Sequence, residues 1–140
     1  MTARNLERLF NPNAVAVVGA SQDLTSISGQ PVAHLKSHGY RGPIYPVNPK
    51  HQEIGGCKTY ASVSELPETP DLALILVNAT RVLAVLRECG ERGISFAIIF
   101  SSGFSETGDE GMRLQQQVIE IAMQYGIGVV GPNCQGMMNV

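Results

Sequence analysis

The chain has 140 residues, of which 44% are hydrophobic and 16% charged, and its ten basic and twelve acidic residues give a net charge of −2. This composition is typical of one globular domain, excludes a disordered chain, and argues against nucleic-acid binding because no strong positive field exists. Since no apolar run approaches the roughly 20 residues of a membrane span and the N-terminus lacks the apolar core of a secretory signal, we expect a cytoplasmic protein with no nucleic-acid or membrane partner.

Five short apolar runs predict β-strands. Each run is almost continuously apolar, which is typical of a strand that is buried on both faces of a parallel sheet. Segments rich in glycine, serine, asparagine or proline separate the runs and indicate turns. The runs cover residues 14–18, 43–47, 72–77, 96–100 and 127–130.

Helices are predicted between the strands from an apolar period of 3.6 residues. The period is clear from Thr80 to Arg92, where Gly93 follows as a stop, and again from Asp109 to Tyr125. A weaker pattern from Gly29 to His38 tolerates Pro31 in its first turn. Shorter helical pieces are expected at residues 62–66 and at an N-terminal segment where Leu6, Leu9 and Phe10 dock on the core.

The alternation of strands and helices predicts an α/β fold. Parallel strands joined by right-handed crossovers give a Rossmann-like, doubly wound five-stranded parallel sheet with helices on both faces. We expect the strand order 3-2-1-4-5. Ligands of such sheets bind outside the carboxyl ends of the strands, so candidate site residues should follow the five runs.

The segments after the first two strands have the composition of a phosphate site. Gly19, Ala20 and Ser21 follow the first strand, and a helix is predicted to open nearby, so backbone N–H groups and a helix N-terminus would face an anion. The dinucleotide fingerprint GxGxxG is absent, and the second strand ends near Lys50 rather than at the acidic residue that binds a ribose. A lysine pairs with phosphate, which favours a phosphate-rich nucleotide over NAD, and an ordinary surface lysine is the alternative.

Other chemistry-bearing side chains have structural explanations. His34 and His38 lie four residues apart on a predicted helix, but no third metal ligand is near in sequence, so we expect both to face solvent. Cys57, Cys89 and Cys134 have neither the number of a disulfide framework nor the spacing of a CxxC zinc site. Reduced thiols are therefore expected, with Cys89 in the core.

Motifs along nearly the whole chain carry a family resemblance. They are Leu9-Phe10-Asn11-Pro12, Val15 to Ser21, Gly39 to Lys50, Pro70-Asp71-Leu72-Ala73, Glu88-Cys89-Gly90, Ser102-Gly103-Phe104-Ser105-Glu106 and Gly131-Pro132-Asn133-Cys134-Gln135-Gly136. Together they resemble the N-terminal CoA-binding domain of NDP-forming acyl-CoA synthetases, to which the succinyl-CoA synthetase α subunit is related.

The resemblance implies coenzyme A as the cofactor. In the family, the phosphates and adenosine of coenzyme A lie across the ends of the first two strands. The pantetheine lies near the loop after the fourth strand. Asn78 stands where the family usually has proline. The resemblance implies no catalytic and no metal-binding residue in this chain. The residues that match the family's cofactor-binding positions are Gly19, Ala20, Ser21, Val47, Asn48, Pro49, Lys50, Val77, Asn78, Ser101, Ser102 and Gly103.

The resemblance also implies the activity of a larger protein. The family passes phosphate from a nucleotide to a histidine and then to an acid, and CoA displaces the acyl phosphate. The histidine and the ATP-grasp elements belong to later domains, so ATP and ADP would act only through those. We expect residues 1–140 to be an excised first domain of an acid–CoA ligase, inactive alone and partnered by downstream domains or another subunit. The alternatives are a stand-alone or regulatory module that binds NAD(P) or CoA, and the CoA module of a protein acetyltransferase.

Overall fold

The computed structural model describes residues 7–26, 28–100 and 108–130. No helix in these ranges is both long enough and apolar enough to cross a bilayer. The elements in chain order are α1 (Glu7–Phe10), β1 (Val15–Val18), α2 (Gln30–Ser37), β2 (Ile44–Val47), β3 (Glu53–Ile54), β4 (Cys57–Lys58), a 3-10 turn (Val63–Glu65), β5 (Leu72–Ile75), α3 (Ala79–Arg92), β6 (Phe96–Ile99), α4 (Asp109–Tyr125) and β7 (Gly128–Val130).

Five strands form one parallel sheet in the order β2-β1-β5-β6-β7. The predicted fold class, a Rossmann-like doubly wound parallel sheet, is confirmed. The predicted order 3-2-1-4-5 is wrong, because the third strand along the chain, β5, pairs with β1 and leaves β2 at the edge, which gives the order 2-1-3-4-5. The physical reason is visible in β2, where Pro46 has no N–H to donate to a second neighbour, and prolines are confined to edge strands.

The two faces of the sheet carry separate apolar clusters and different helices. Alternate side chains of β1 point to opposite faces, so Ala16 belongs to one cluster and Val17 to the other. Val82 of α3 and Val118 of α4 join the cluster of Ala16, whereas Val32 of α2 joins that of Val17. Helices therefore cover both faces, as predicted.

The predicted helix ends agree with the structure. Gly93 and Gly126 follow α3 and α4 with φ angles of 87° and 69°, the left-handed conformation that glycine adopts without strain. In α1, Leu9 is buried as expected, but Phe10 is 61% exposed, so its predicted docking on the core is wrong. A four-residue helix has only one face on the sheet, and the expected Leu6 lies outside the described residues.

The antiparallel hairpin of β3 and β4 was not predicted from the sequence. Its register pairs Glu53 with Lys58, and its turn consists of Gly55 and Gly56, whose φ angles of 58° and 81° are both positive. A Gly-Gly pair between two short runs is a recognised hairpin signal because such turns need positive φ at both central positions. Ile54 is buried, which anchors the hairpin to the core beside α2.

Candidate functional site

A cleft of about 270 Å³ lies at the carboxyl ends of β2, β1 and β5. The chain leaves β1 for α2 on one face of the sheet and leaves β5 for α3 on the other face. The boundary between β1 and β5 is therefore the point where the strand order reverses, which is where doubly wound sheets bind ligands.

The cleft brings together most of the predicted cofactor-binding residues. Of the others, Ala20 is fully buried behind the cleft and Ser21 is half-buried outside its lining. Ser101, Ser102 and Gly103 lie outside the described residues. The predicted residues that line the cleft are Gly19, Val47, Asn48, Pro49, Lys50, Val77 and Asn78.

Two backbone donors of the glycine turn are already paired inside the protein. The N–H of Gly19 donates to the carbonyl of Val47 at 2.9 Å, and the N–H of Ser21 donates to the carbonyl of Ser28 at 3.2 Å. The loop also carries Asp23, whose pKa is lowered by hydrogen bonds from the hydroxyl and the N–H of Thr25. The predicted cradle of N–H groups for a phosphate is therefore not formed by Gly19 and Ser21 in this conformation.

Gly19 has a steric function instead. Its φ angle is +88°, and a Cβ built on it would lie 2.9 Å from the carbonyl oxygen of Leu76 and 3.0 Å from Cγ1 of Val77. Real Cβ atoms do not approach a backbone oxygen so closely, so only glycine lets the turn after β1 lie against the end of β5. That close approach forms the floor of the cleft.

Asn48 fixes the loop after β2 and thereby positions Lys50. Its Nδ2 donates to the carbonyl of Ala20 at 3.0 Å, and its Oδ1 accepts from the N–H of Lys50 at 2.9 Å. These bonds tie the ends of β1 and β2 together. Lys50 itself is exposed, and its ammonium group takes part in no salt bridge within the described ranges. A fixed loop thus presents a free cation at the rim.

The start of α3 forms the opposite rim. Asn78 precedes the helix without a capping hydrogen bond from its side chain, and the first turn contains no acidic residue. The positive end of a 14-residue helix therefore faces the cleft together with the exposed Arg81. Arg81 was not among the site residues predicted from the sequence. A cation in the first turn opposes the helix dipole, by about 0.3–1 kcal/mol, and this unfavourable placement was the available signal.

The inner part of the cleft is apolar. Val85 of α3 and Val63 of the 3-10 turn line it, and both are buried in the cluster that includes Val47. Glu88 lies beside them on the face of α3 that also carries Arg81. Cys89, next to Glu88, points into the core, where burial, helped by the charge of Glu88, raises its pKa to about 12. Its predicted structural role agrees with this environment.

A larger groove of about 730 Å³ lies on the other side of the sheet beside α2. It is lined by Leu35 and Leu74, and by the exposed His34 and His38, whose rings meet edge to face at 5.9 Å. The predicted solvent exposure of both histidines is thus confirmed. None of the predicted cofactor-binding residues lines this groove, so the smaller cleft at the reversal point is the candidate site.

Comparisons with known proteins agree with the sequence motifs. A family model described as a CoA binding domain matches residues 13–140. The chain is 43% identical over 134 residues to the α subunit of ADP-forming acetate–CoA ligase II of Pyrococcus furiosus. This alignment covers 96% of the present chain and 29% of that protein. It is 39% identical over 132 residues to the ADP-forming 4-hydroxybutyrate–CoA ligase of Nitrosopumilus maritimus. That alignment covers 94% of the present chain and 19% of the ligase.

A solved structure has the same fold. It is the dinucleotide-forming acetyl-coenzyme A synthetase 1 of Candidatus Korarchaeum cryptofilum in complex with phosphate and ADP, with a TM-score of 0.87 and 44% sequence identity over 92% of this chain and 27% of that one. The chain therefore spans less than a third of each of these three relatives.

Proposed function

This chain belongs to the CoA-binding domain family, and we propose that it binds coenzyme A in the cleft at the ends of β2, β1 and β5. One observation carries the proposal: two cations, Lys50 and Arg81, lie on different walls of one cleft beside the positive end of α3, and neither forms a salt bridge within residues 7–26, 28–100 and 108–130. Coenzyme A carries a pyrophosphate and a separate 3′-phosphate, so its binding requires cations at more than one position. Charge-assisted contacts to phosphate are the strong ones.

The residues at the end of β2 favour CoA over NAD. A dinucleotide fold places a carboxylate there to accept hydrogen bonds from the ribose hydroxyls of NAD. In this chain that position is occupied by Asn48, Pro49 and Lys50, and the side chain of Asn48 is already committed to Ala20 and to the N–H of Lys50. The cleft thus offers a cation where NAD needs an acceptor.

The proposed binding residues have different functions. Lys50 and Arg81 contact phosphates, while Gly19 and Asn48 shape and fix the floor. Ala20 and Ser21 support the turn from behind. Ser101, Ser102 and Gly103 stay a prediction for the pantetheine side. The remaining proposed contacts at the strand ends are Val47, Pro49, Val77 and Asn78.

For the longer protein or assembly, we propose the reaction of an NDP-forming acid–CoA ligase. This domain would supply CoA, and ATP or ADP would act through downstream domains or a partner subunit. The relatives named for acetate and for 4-hydroxybutyrate match the chain at 43% and 39% identity over 134 and 132 residues, so the same domain occurs in ligases of different acids. The proposed location is the cytoplasm, whose reducing conditions keep Cys57 and Cys89 as thiols.

Calorimetry of the purified chain tests this proposal. CoA should bind more tightly than dephospho-CoA, which has lost one phosphate, and both should bind more tightly than NAD or NADP. Binding of NAD without binding of CoA would contradict the proposal and favour a regulatory nucleotide module. As a second test, the purified chain mixed with acid, ATP and CoA should form no acyl-CoA, and turnover would show that the ligase reaction needs no further domain.

A further inference from the structure

Glu88 is a carboxylate in a cleft that is otherwise suited to anions. It lies seven residues after Arg81 on the same face of α3, which places it about 10 Å further along the helix axis. Glu88 is half-buried, and its carboxylate makes no salt bridge or hydrogen bond within residues 7–26, 28–100 and 108–130. Because a negative charge there repels phosphates, a purely phosphate-binding cleft does not explain it.

The surroundings of Glu88 are suited to a flat, uncharged ring. Val63 and Val85 are 1% and 5% exposed and line the inner part of the cleft, one from the 3-10 turn and one from α3. The neighbouring polar side chain, Ser62, shares a hydrogen bond of 2.8 Å with Ser64. Glu88 is therefore a free charged hydrogen-bond acceptor beside this apolar part of the cleft, within the chain that the structure describes.

The wall of the cleft that α3 forms thus carries a cation, Arg81, in the first turn of the helix and an acceptor beside apolar side chains about 10 Å further along. We propose that Glu88 determines the base specificity of this site: its carboxylate accepts a hydrogen bond from the exocyclic amine of a purine, whose ring lies against Val63 and Val85. This inference rests on the proposed CoA function, since the phosphates of the same ligand would lie at Lys50 and Arg81.

The chemistry selects adenine over hypoxanthine. The exocyclic nitrogen of adenine is a hydrogen-bond donor, so it is complementary to a carboxylate. In hypoxanthine a carbonyl replaces that amine. The carbonyl oxygen and the Glu88 carboxylate, both acceptors, would then face each other in a half-buried part of the cleft. A site that leaves a buried acceptor unpaired discriminates against the wrong ligand more strongly than a site that only loses packing.

The test compares CoA with its deaminated analogue, which carries hypoxanthine and the same phosphates. The wild-type chain should bind CoA about tenfold more tightly than the analogue, as expected for the loss of one charge-assisted hydrogen bond. Glu88→Ala should weaken CoA binding by about tenfold and remove the preference. Glu88→Gln, whose amide both donates and accepts, should also bind the two ligands equally. Because glutamine is nearly isosteric, this variant keeps the test informative if the alanine variant folds poorly.

The matched control is Glu91→Ala, which removes the same charge from an exposed position on α3 outside the cleft. It should leave both affinities unchanged. If Glu88 only repels phosphates, Glu88→Ala would tighten binding of both ligands equally, and the inference would be overturned. Equal affinity of the wild type for both ligands would also overturn it while leaving the proposed function intact. Failure of the wild type to bind CoA would instead refute the proposed function.

Discussion

The two strand-to-helix junctions at the reversal point of the sheet offer a ligand different things. In the β1–α2 junction, the N–H groups of Gly19 and Ser21 donate to carbonyls of the protein, and Asp23 contributes a negative charge. In the β5–α3 junction, the side chain of Asn78 caps nothing, no acidic residue follows in the first turn, and Arg81 contributes a positive charge. The second junction has the features of an anion site although the first has the glycine.

This difference shows that a glycine after the first strand does not by itself make a phosphate site. Gly19 permits a close approach of two backbones, whereas in the proposed site the phosphates would be bound by Lys50 and Arg81, which lie on elements beyond that turn. Substitutions at the first junction should therefore change mainly stability, and substitutions at the cationic rims should change mainly affinity.

The largest expected effect is on stability, from Gly19→Ala. The new Cβ would lie 2.9 Å from the Leu76 oxygen at a φ of +88°, so the variant combines backbone strain with a steric clash. Gly39→Ala is the matched control, because its φ is +79° and no atom lies within 4 Å of the new Cβ. In urea unfolding, Gly39→Ala should lower the free energy of unfolding by about 1–2 kcal/mol from backbone strain alone. Gly19→Ala should lower it by about 1–3 kcal/mol more because of the added clash. Gly19→Val should be worse still, whereas equal losses at both glycines would show that the turn tolerates the contact.

Lys50→Ala should have the largest effect on affinity. Removing this exposed cation should weaken CoA binding by about ten- to a hundredfold, since a charge-assisted contact contributes roughly 1.5–3 kcal/mol. The free energy of unfolding should hardly change. Lys58→Ala removes an exposed lysine outside the cleft and should leave calorimetric CoA affinity unaltered. Similar affinities for wild type and Lys50→Ala would place the phosphates away from the end of β2.

Arg81→Gln should change affinity and stability in opposite directions. CoA affinity should fall by about tenfold because a cation is lost from the rim. The melting temperature should rise slightly, because removing a cation from the first turn of α3 relieves about 0.3–1 kcal/mol of repulsion from the helix dipole. Arg87→Gln, at an exposed position on the same helix outside the cleft, should affect neither the affinity nor this dipole interaction. Unchanged affinity in Arg81→Gln would exclude the β5–α3 rim from phosphate binding.

The smallest expected effect on CoA affinity comes from Asn48→Ala. The variant loses the bonds to the Ala20 carbonyl and to the Lys50 N–H, so unfolding free energy should fall by about 1–2 kcal/mol. CoA affinity should fall less than in Lys50→Ala, because the lysine is present but less well positioned. Asn48→Asp keeps the acceptor for Lys50, but it loses the donor to Ala20 and adds a negative charge beside the proposed phosphates, so its CoA affinity should fall below that of Asn48→Ala. An affinity of Asn48→Ala as low as that of Lys50→Ala would indicate that Asn48 contacts the ligand directly.

The local patterns of the sequence predicted the elements closely. The ends of the predicted strands lie within two residues of the observed ends, and α4 was predicted with its observed bounds. The reason is that apolar runs and the 3.6-residue apolar period both indicate which side chains are buried. The order of the strands was not predicted correctly, since a run of apolar residues does not indicate which strand it pairs with. Pro46 was the local clue, as a strand residue without an N–H belongs at an edge.

The candidate site was predicted where it depends on strand ends. Residues from Gly19, the loop after β2 and the end of β5 meet because the carboxyl ends of parallel strands share one edge of the sheet. Arg81 and Glu88 were missed because they lie seven residues apart on a helix, and only the packing of α3 against the 3-10 turn shows that both line the cleft.

The sequence by itself determined the fold class, the family resemblance and the expectation of coenzyme A, because hydrophobic period, turn residues and motifs are properties of neighbouring residues. The tertiary structure alone decided that β5 lies beside β1, that the N–H groups of Gly19 and Ser21 are already paired, and that α3 adds a second cation and a carboxylate to the lining of the cleft. Each of these depends on contacts between segments far apart in the chain, and no local pattern states which donor meets which acceptor or which helix face meets which wall.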